Sequence, residues 1–212
     1  MNKRESRLIV VSAPSGVGKS TVCGRLRALH DDVAVSISYT TRDLRGGERD
    51  GVHYHFVDDA RFDAMIASNS FLEWAPVHAR RYGTGRQDCE SLLAEGKDVL
   101  FDIDVQGGAQ IKAQREDAML VFLVPPTVSE WVRRLRDRGT DAEDVIALRL
   151  RNAIAEMEQG KTYEYLLIND DLAAVVRELD ELRQAEQPRK RKTSGSMKHL
   201  EELLAKARLE LT

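Results

Sequence analysis

Short apolar runs punctuate the chain at Leu8 to Ser12, Val33 to Ser38, Asp98 to Ile103, Met119 to Val124 and Tyr165 to Ile168. Runs this short and this continuously apolar are what strands buried on both faces look like. Helical spacing fills the intervals: Thr21 to Leu29, Val105 to about Gln114, Val128 to Arg138, Asp141 to Gln159 and Leu172 to Ala185. On the Asp141 to Gln159 helix, Val145, Leu148, Ala155 and Met157 are expected on the apolar side. Strand–helix alternation of this kind predicts βαβ units and a parallel sheet. Pro125-Pro126 stops the Met119 to Val124 strand, and no internal repeat is present.

Two stretches depart from this rhythm. Residues Tyr39 to Gly96 hold a polar, Arg- and Gly-rich loop (Thr41 to Gly51), short aromatic strands (His53 to Val57, Phe71 to Val77) and a short helix (Asp59 to Ala67). They read as a small α+β subdomain, residues 39–96, inserted between core segments 1–38 and 97–185. The tail, residues 186–212, begins with the basic run Pro188 to Lys192 and the Gly/Ser stretch to Ser196, which read as a solvated linker. After it, Leu200, Leu203, Leu204, Ala207 and Leu211 recur at helical spacing. That amphipathic stripe has to be buried, either on the chain's own core or by self-association through the tail helix.

Composition narrows the class. A chain of 212 residues with 42% apolar residues suits one core with small additions. A net charge of −3 speaks against coating nucleic acid. Cys23 and Cys89 are too few for a disulfide framework. Met1 to Arg7 is polar, and no apolar run approaches the roughly 20 residues of a membrane span. A cytoplasmic enzyme with no membrane and no nucleic-acid partner is expected.

The chemistry begins at Ala13-Pro-Ser-Gly-Val-Gly-Lys-Ser20, between the first strand and the first helix. The pattern G-x-x-x-x-G-K-[ST] in that context is a phosphate-binding loop. Gly16 and Gly18 let backbone N–H groups turn toward phosphate oxygens. The helix N-terminus adds partial positive charge. Lys19 can reach the β- and γ-phosphates, and the Ser20 hydroxyl can ligate Mg²⁺. Ala13 stands where the pattern has its first glycine. Phosphoryl transfer also needs cations around a charge-rich transition state. Arginines cluster at Arg42 and Arg45, at Arg133, Arg134, Arg136 and Arg138 before Gly139-Thr140, and at Arg149 and Arg151.

With these residues in order, the chain resembles the guanylate kinases, of the nucleoside monophosphate kinase type. The matching stretches include Ser38-Tyr-Thr-Thr-Arg42, Arg45-Gly-Gly-Glu48, Gly51-Val-His-Tyr54, Phe71-Leu-Glu-Trp-Ala75, Tyr82-Gly-Thr84, Asp102-Ile-Asp104, Arg134-Leu-Arg-Asp-Arg-Gly-Thr140 and Ile168-Asn-Asp170. The resemblance implies an α/β fold: a P-loop three-layer parallel-sheet core, an inserted GMP-binding α+β subdomain and a helical lid at about residues 134–150. It implies transfer of the ATP γ-phosphoryl group to GMP, and to dGMP, giving ADP and GDP.

The same resemblance implies the roles. ATP would lie on Ala13, Pro14, Ser15, Gly16, Val17, Gly18, Lys19, Ser20 and Thr21, with Asn169 and Asp170 bordering the adenine. Glu73 and Asp104 would face the guanine N1–H and N2 amino donors, with a Ser38 or Thr84 hydroxyl at O6. Such a site can discriminate by ~10⁴-fold, because the wrong base leaves buried groups unpaired. Arg42, Arg45, Tyr54 and Tyr82 would hold the GMP phosphate, and Ser20 with Asp102 would hold Mg²⁺. Lys19, Arg45, Arg138 and Arg149 would surround the transferring group. Two other outcomes remain: a kinase of the same fold acting on a ribosyl phosphate, and a non-catalytic protein-binding module.

Overall fold

The computed structural model describes residues 5–77, 79–136, 143–185 and 194–209. The chain opens with β1 (Leu8–Ser12), α1 (Lys19–Leu29) and β2 (Val33–Val35), then β3 (Ser38–Thr40), β4 (His55–Phe56), α2 (Asp59–Ala67), β5 (Phe71–Val77) and β6 (Arg80–Gly85). It continues through α3 (Arg86–Ala94), β7 (Asp98–Asp102), α4 (Val105–Gln114), β8 (Met119–Val124), α5 (Val128–Arg136), α6 (Glu143–Gly160), β9 (Tyr165–Ile168), α7 (Leu172–Gln184) and α8 (Ser194–Leu209).

A five-stranded sheet in the order β2-β7-β1-β8-β9 forms the centre, and every neighbouring pair is parallel. From β1 the chain crosses through α1 to one side, to β2; from β7 it crosses through α4 to the other side, to β8. Right-handed crossovers in opposite directions place the helices on opposite faces, which gives three layers. The direction switches between β1 and β7. Their carboxyl ends therefore diverge into a crevice, where the residues after Ser12 and the residue Asp102 come side by side. Leu8, Ile9, Val10 and Val11 of β1 and Val121, Phe122, Leu123 and Val124 of β8 are fully buried, as strands covered on both faces must be.

A four-stranded sheet in the order β4-β3-β6-β5 forms a second body with α2. Phe62, Met65 and Phe71 make its own small core, with Trp74 packed against them. Helix α4 docks on its β5 edge. The Gln110 amide takes both backbone groups of Trp74, accepting from N–H at 3.1 Å and donating to C=O at 3.0 Å, and Gln114 donates to Leu72 C=O at 2.9 Å.

Three details differ from the sequence-based expectations. The Val33 to Ser38 run is not one strand: β2 ends at Val35, and Ser38 starts β3 in the other sheet. β6 and α3 carry no clear apolar pattern, and both form because neighbours enclose them. β6 lies between β3 and β5, while Cys89, Leu92 and Leu93 of α3 pack into the main core. On α6 the buried side is Leu150, Ala153 and Met157, whereas Leu148 is 54% exposed and Ala155 is also exposed. Leu148 and Met157 are nine positions apart, half a turn out of phase at 3.6 residues per turn, so they cannot share a face. Val145 lies among residues whose side chains are not described.

Opposite the crevice, Arg183 is buried and bonded to three carboxylates: Asp32 at 2.8 Å, Asp98 at 2.9 Å and Asp180 at 2.9 Å. Asp98 is itself buried and also accepts the Arg7 N–H at 2.8 Å. In α8, Leu200, Leu203, Leu204 and Ala207 are buried in the chain's own main core against α5, α6 and β9. These four side chains leave no stripe for self-association; Leu211 and the 188–192 run lie outside the described residues. Among the described residues no helix is long and apolar enough to cross a membrane.

Candidate active site

Between β1 and α1 the backbone enters left-handed conformation at Gly16 (φ 86°) and Gly18 (φ 96°). A side chain at Gly18 would also meet the Asn169 amide nitrogen at 2.9 Å, so conformation and space both require glycine there. Among the described residues Asn69 is the only non-glycine at positive φ, so Ala13 needs no glycine backbone and fits its place in the loop. α1 begins without a side-chain cap and with no acidic residue in its first turn. Its first N–H groups and its dipole are thus aimed at the loop cavity.

The loop is held from behind. Asn169 Nδ2 donates to Val17 C=O at 2.6 Å, Arg134 donates to the same oxygen at 3.4 Å, and Trp131 Nε1 donates to Ser15 C=O at 2.8 Å. Arg134 also reaches Asn169 C=O at 3.2 Å and Glu130 at 2.8 Å. Together Arg133 and Arg134 hold the Glu130 carboxyl down to about 2. Asn169, expected beside the adenine, therefore spends its side chain on the loop, while Asp170 is exposed.

Lys19 Nζ lies 2.7 Å from Ile103 C=O and 3.1 Å from Asp102 Oδ1, at the end of β7. The loop after β7 is fixed in turn by Ser12, whose hydroxyl donates to Ile103 C=O at 3.0 Å and accepts from the Tyr163 hydroxyl at 2.8 Å. Burial pushes the Tyr163 phenol up to about 12, so it stays a donor. Ser20, in the first turn of α1, is exposed beside the same cavity.

Across the crevice the second sheet sets Ser38, Thr84 and Glu73 in one row, since Ser38 pairs with Thr84 and Thr84 with Glu73. Side chains directly opposite one another in a sheet share a face. The Thr84 hydroxyl donates to Glu73 at 2.6 Å. Glu73 is buried, and that burial raises its pKa; Thr84 opposes the rise and the nearby Asp104 charge adds to it. Asp104 caps α4, accepting Gly107 N–H at 2.8 Å, which points the helix start at Glu73.

Two residues along the same strand face stands Tyr82, with Tyr54 edge-on to it at 5.8 Å. Arg42 sits over the Tyr54 ring at 5.3 Å. Its guanidinium is clamped by both oxygens of Glu48 at 3.1 and 2.7 Å. The Glu48 carboxyl is held at about 2 by Arg42, aided by the Arg45 N–H. Arg45 itself is exposed. Arg149 is half-exposed on α6, and Arg138 lies outside the described residues.

Comparison with known proteins decides the family. The guanylate kinase family profile matches residues 5–186. The chain is similar to the guanylate kinase of Zymomonas mobilis, 45% identical over 203 residues, covering 95% of this chain and 94% of that one. It is similar to the guanylate kinase of Sphingopyxis alaskensis at 47% over 193 residues, covering 91% and 88%. The crystal structure of guanylate kinase from Anaplasma phagocytophilum superposes with a TM-score of 0.68 at 29% identity, covering 95% of this chain and 96% of that one.

The chain belongs to the guanylate kinase family.

For a guanylate kinase family member, cavity size is a poor guide to the site. The loop cavity holds about 220 Å³, while cavities of about 410 Å³ beside α8 and about 470 Å³ around Tyr39 and Arg86 lie elsewhere. Sequence reasoning missed the residues that brace this site: Glu48, Trp131, Tyr163 and, most of all, Glu156. Glu156 shares the loop cavity with Lys19 and Asp104. Its only sequence signal is a carboxylate one position ahead of the buried Met157.

Proposed function

We propose that the chain transfers the γ-phosphoryl group of ATP to GMP, and also to dGMP. The observation that carries the reading is the pairing, across one crevice, of a phosphate cradle with a buried carboxylate set among hydroxyls. ATP would lie with its phosphates on residues 13–21. Guanine would present N1–H and its N2 amino group to Glu73, with Asp104 beside it and a Ser38 or Thr84 hydroxyl at O6. Residues 39–96 form the GMP-binding unit in this reading. Arg42, Tyr54 and Tyr82 are already gathered to take the GMP phosphate, with Arg45 exposed to close onto it. Arg is suited by its planar fork, which matches phosphate oxygens in pairs.

The acceptor is a phosphate dianion, so no strong base is needed. The chain's work is to orient the two phosphates in line and to neutralise charge as it spreads. Lys19, already anchored at Ile103 C=O, does so from the cradle; Arg45, Arg138 and Arg149 do so from the sides. Mg²⁺ is commonly held by one or two carboxylates plus phosphate oxygens. Ser20, next to Lys19 in the chain, and Asp102, 3.1 Å from the Lys19 amine, fit that donor set. When bound, the ion neutralises and orients the β- and γ-phosphates.

A coupled assay of ADP release tests the reading. Turnover with GMP and little with AMP, CMP or UMP is expected. Equal rates with AMP and GMP would remove the guanine assignment.

A further inference from the structure

Trp131 is fully buried, and its single polar atom is spent on the phosphate loop: Nε1–H donates to Ser15 C=O at 2.8 Å. A buried indole N–H left without an acceptor is costly, so the contact belongs to the core and not to a passing surface arrangement. Leu135 is also fully buried and lies one turn further along α5, on the same face. Its side chain sits 2.9 Å from where a Cβ on Gly16 would stand. Two successive turns of α5 thus close on the back of the loop.

The consequence lies in the peptide planes. In a trans peptide the C=O of one residue and the N–H of the next point to opposite sides, and no cis bond occurs among the described residues. With Ser15 C=O drawn back to Trp131, the Gly16 N–H points forward, into the cavity lined by Ser15, Gly16, Gly18 and Lys19. Asn169 repeats the arrangement, holding Val17 C=O at 2.6 Å and so turning the Gly18 N–H forward. Between them, the Val17 N–H is taken inside the turn by Pro14 C=O at 3.3 Å. Glycine alone does not set this order. Gly16, at φ 86°, is the residue most free to rotate, and a rotated peptide would offer a phosphate an oxygen instead of a donor.

We propose that Trp131 is a positioning residue for ATP, fixing the Gly16 N–H as a phosphate donor by holding Ser15 C=O. The proposal rests on reading residues 13–21 as the ATP site. Glu73 and Thr84 lie in the other sheet, so binding of GMP does not draw on this bond.

The test is equilibrium titration of the full chain with ATP and with ADP, and separately with GMP. Trp131→Phe and Trp131→Leu both remove the indole N–H but differ in the bulk they leave. ATP and ADP are expected to bind about tenfold more weakly to each, the scale of one hydrogen bond to a charged group. GMP affinity is expected to hold in both. The chain has two tryptophans, so an ¹⁵N-labelled sample gives two indole signals, and the one lost in Trp131→Phe is that of Trp131. In the wild-type chain that signal is expected to move with ATP or ADP and to stay in place with GMP. A nucleotide loss that instead tracks the volume removed and the fall in Tm would leave Trp131 as packing alone and overturn the proposal. Unchanged ATP affinity in both variants, equal weakening of ATP and GMP, or an indole signal unmoved by saturating ATP overturns it as well. A wild-type chain that binds neither ATP nor ADP would overturn the ATP reading beneath it.

Discussion

The Thr84 hydroxyl stands 2.6 Å from the Glu73 carboxylate and donates to it. A hydroxyl has one proton to give, so Thr84 steadies Glu73 or donates to guanine O6, but not both at once. Thr84→Val is expected to raise the KM for GMP by about tenfold or more, the scale of a hydrogen bond to a charged group. The KM for ATP should not move, and Thr84→Ser should restore most of the loss. Steady-state kinetics in both substrates check this.

Glu73 also sets a pH dependence. Its pKa is raised by burial, and the protonated carboxyl cannot accept from both guanine donors. As pH falls through that raised value, the KM for GMP should climb without a parallel rise for ATP. In Thr84→Val the opposing hydrogen bond is gone, so the climb should begin at higher pH. A GMP KM flat with pH down to the ordinary carboxylate range would show that Glu73 does not contact the base.

Lys19→Ala is expected to lower kcat by at least ~100-fold, since the lysine meets charge that develops during transfer. Lys19 is half-exposed and holds surface carbonyl and carboxylate groups, not core. Thermal unfolding should therefore stay close to wild type. Substantial residual activity would mean the loop does not work as argued.

Arg183→Ala leaves the buried Asp98 without its cation. Breaking such a pair by removing one partner costs roughly 3–5 kcal/mol. For a chain of this size that is a drop on the order of 10 °C in Tm. The network lies at the far end of the sheet from Lys19, so kcat should hold. The pH trend follows from Asp32, whose pKa Arg183 lowers. The stability it supplies is present above the ordinary carboxylate pKa and is lost as pH falls through the depressed one; in Arg183→Ala that loss should shrink.

Leu204→Ala tests the tail helix. Leu204 is 1% exposed within the chain's own core, so its truncation should cost about 2–5 kcal/mol. Light scattering should give the same molecular mass for the variant and the parent. A change in mass would return the stripe to a subunit contact.

Much of the fold could be read in the sequence, because β1, β7, β8 and β9 are apolar runs bounded by polar residues, and the bounds of α4, β5 and α2 follow from local pattern. What escaped has a common cause. β6 is Arg-Arg-Tyr-Gly-Thr-Gly, a poor strand by composition, made a strand by partners on both edges. The break after Val35 carries no Gly or Pro; the chain simply changes sheets. At the site, Lys19, Glu73 and Tyr82 announce themselves by type and motif. Glu48 and Glu156 do not, since a helix or loop glutamate reads as solvated until the fold brings an arginine or a lysine to it.

The docking of α4 on β5 has one more consequence. β5 is the outer strand of its sheet, and an outer strand with open backbone groups invites pairing with another chain. Here the Gln110 and Gln114 side chains occupy the groups of Trp74 and Leu72 that such a chain would use. The helix that Asp104 caps thus also seals this edge against aggregation.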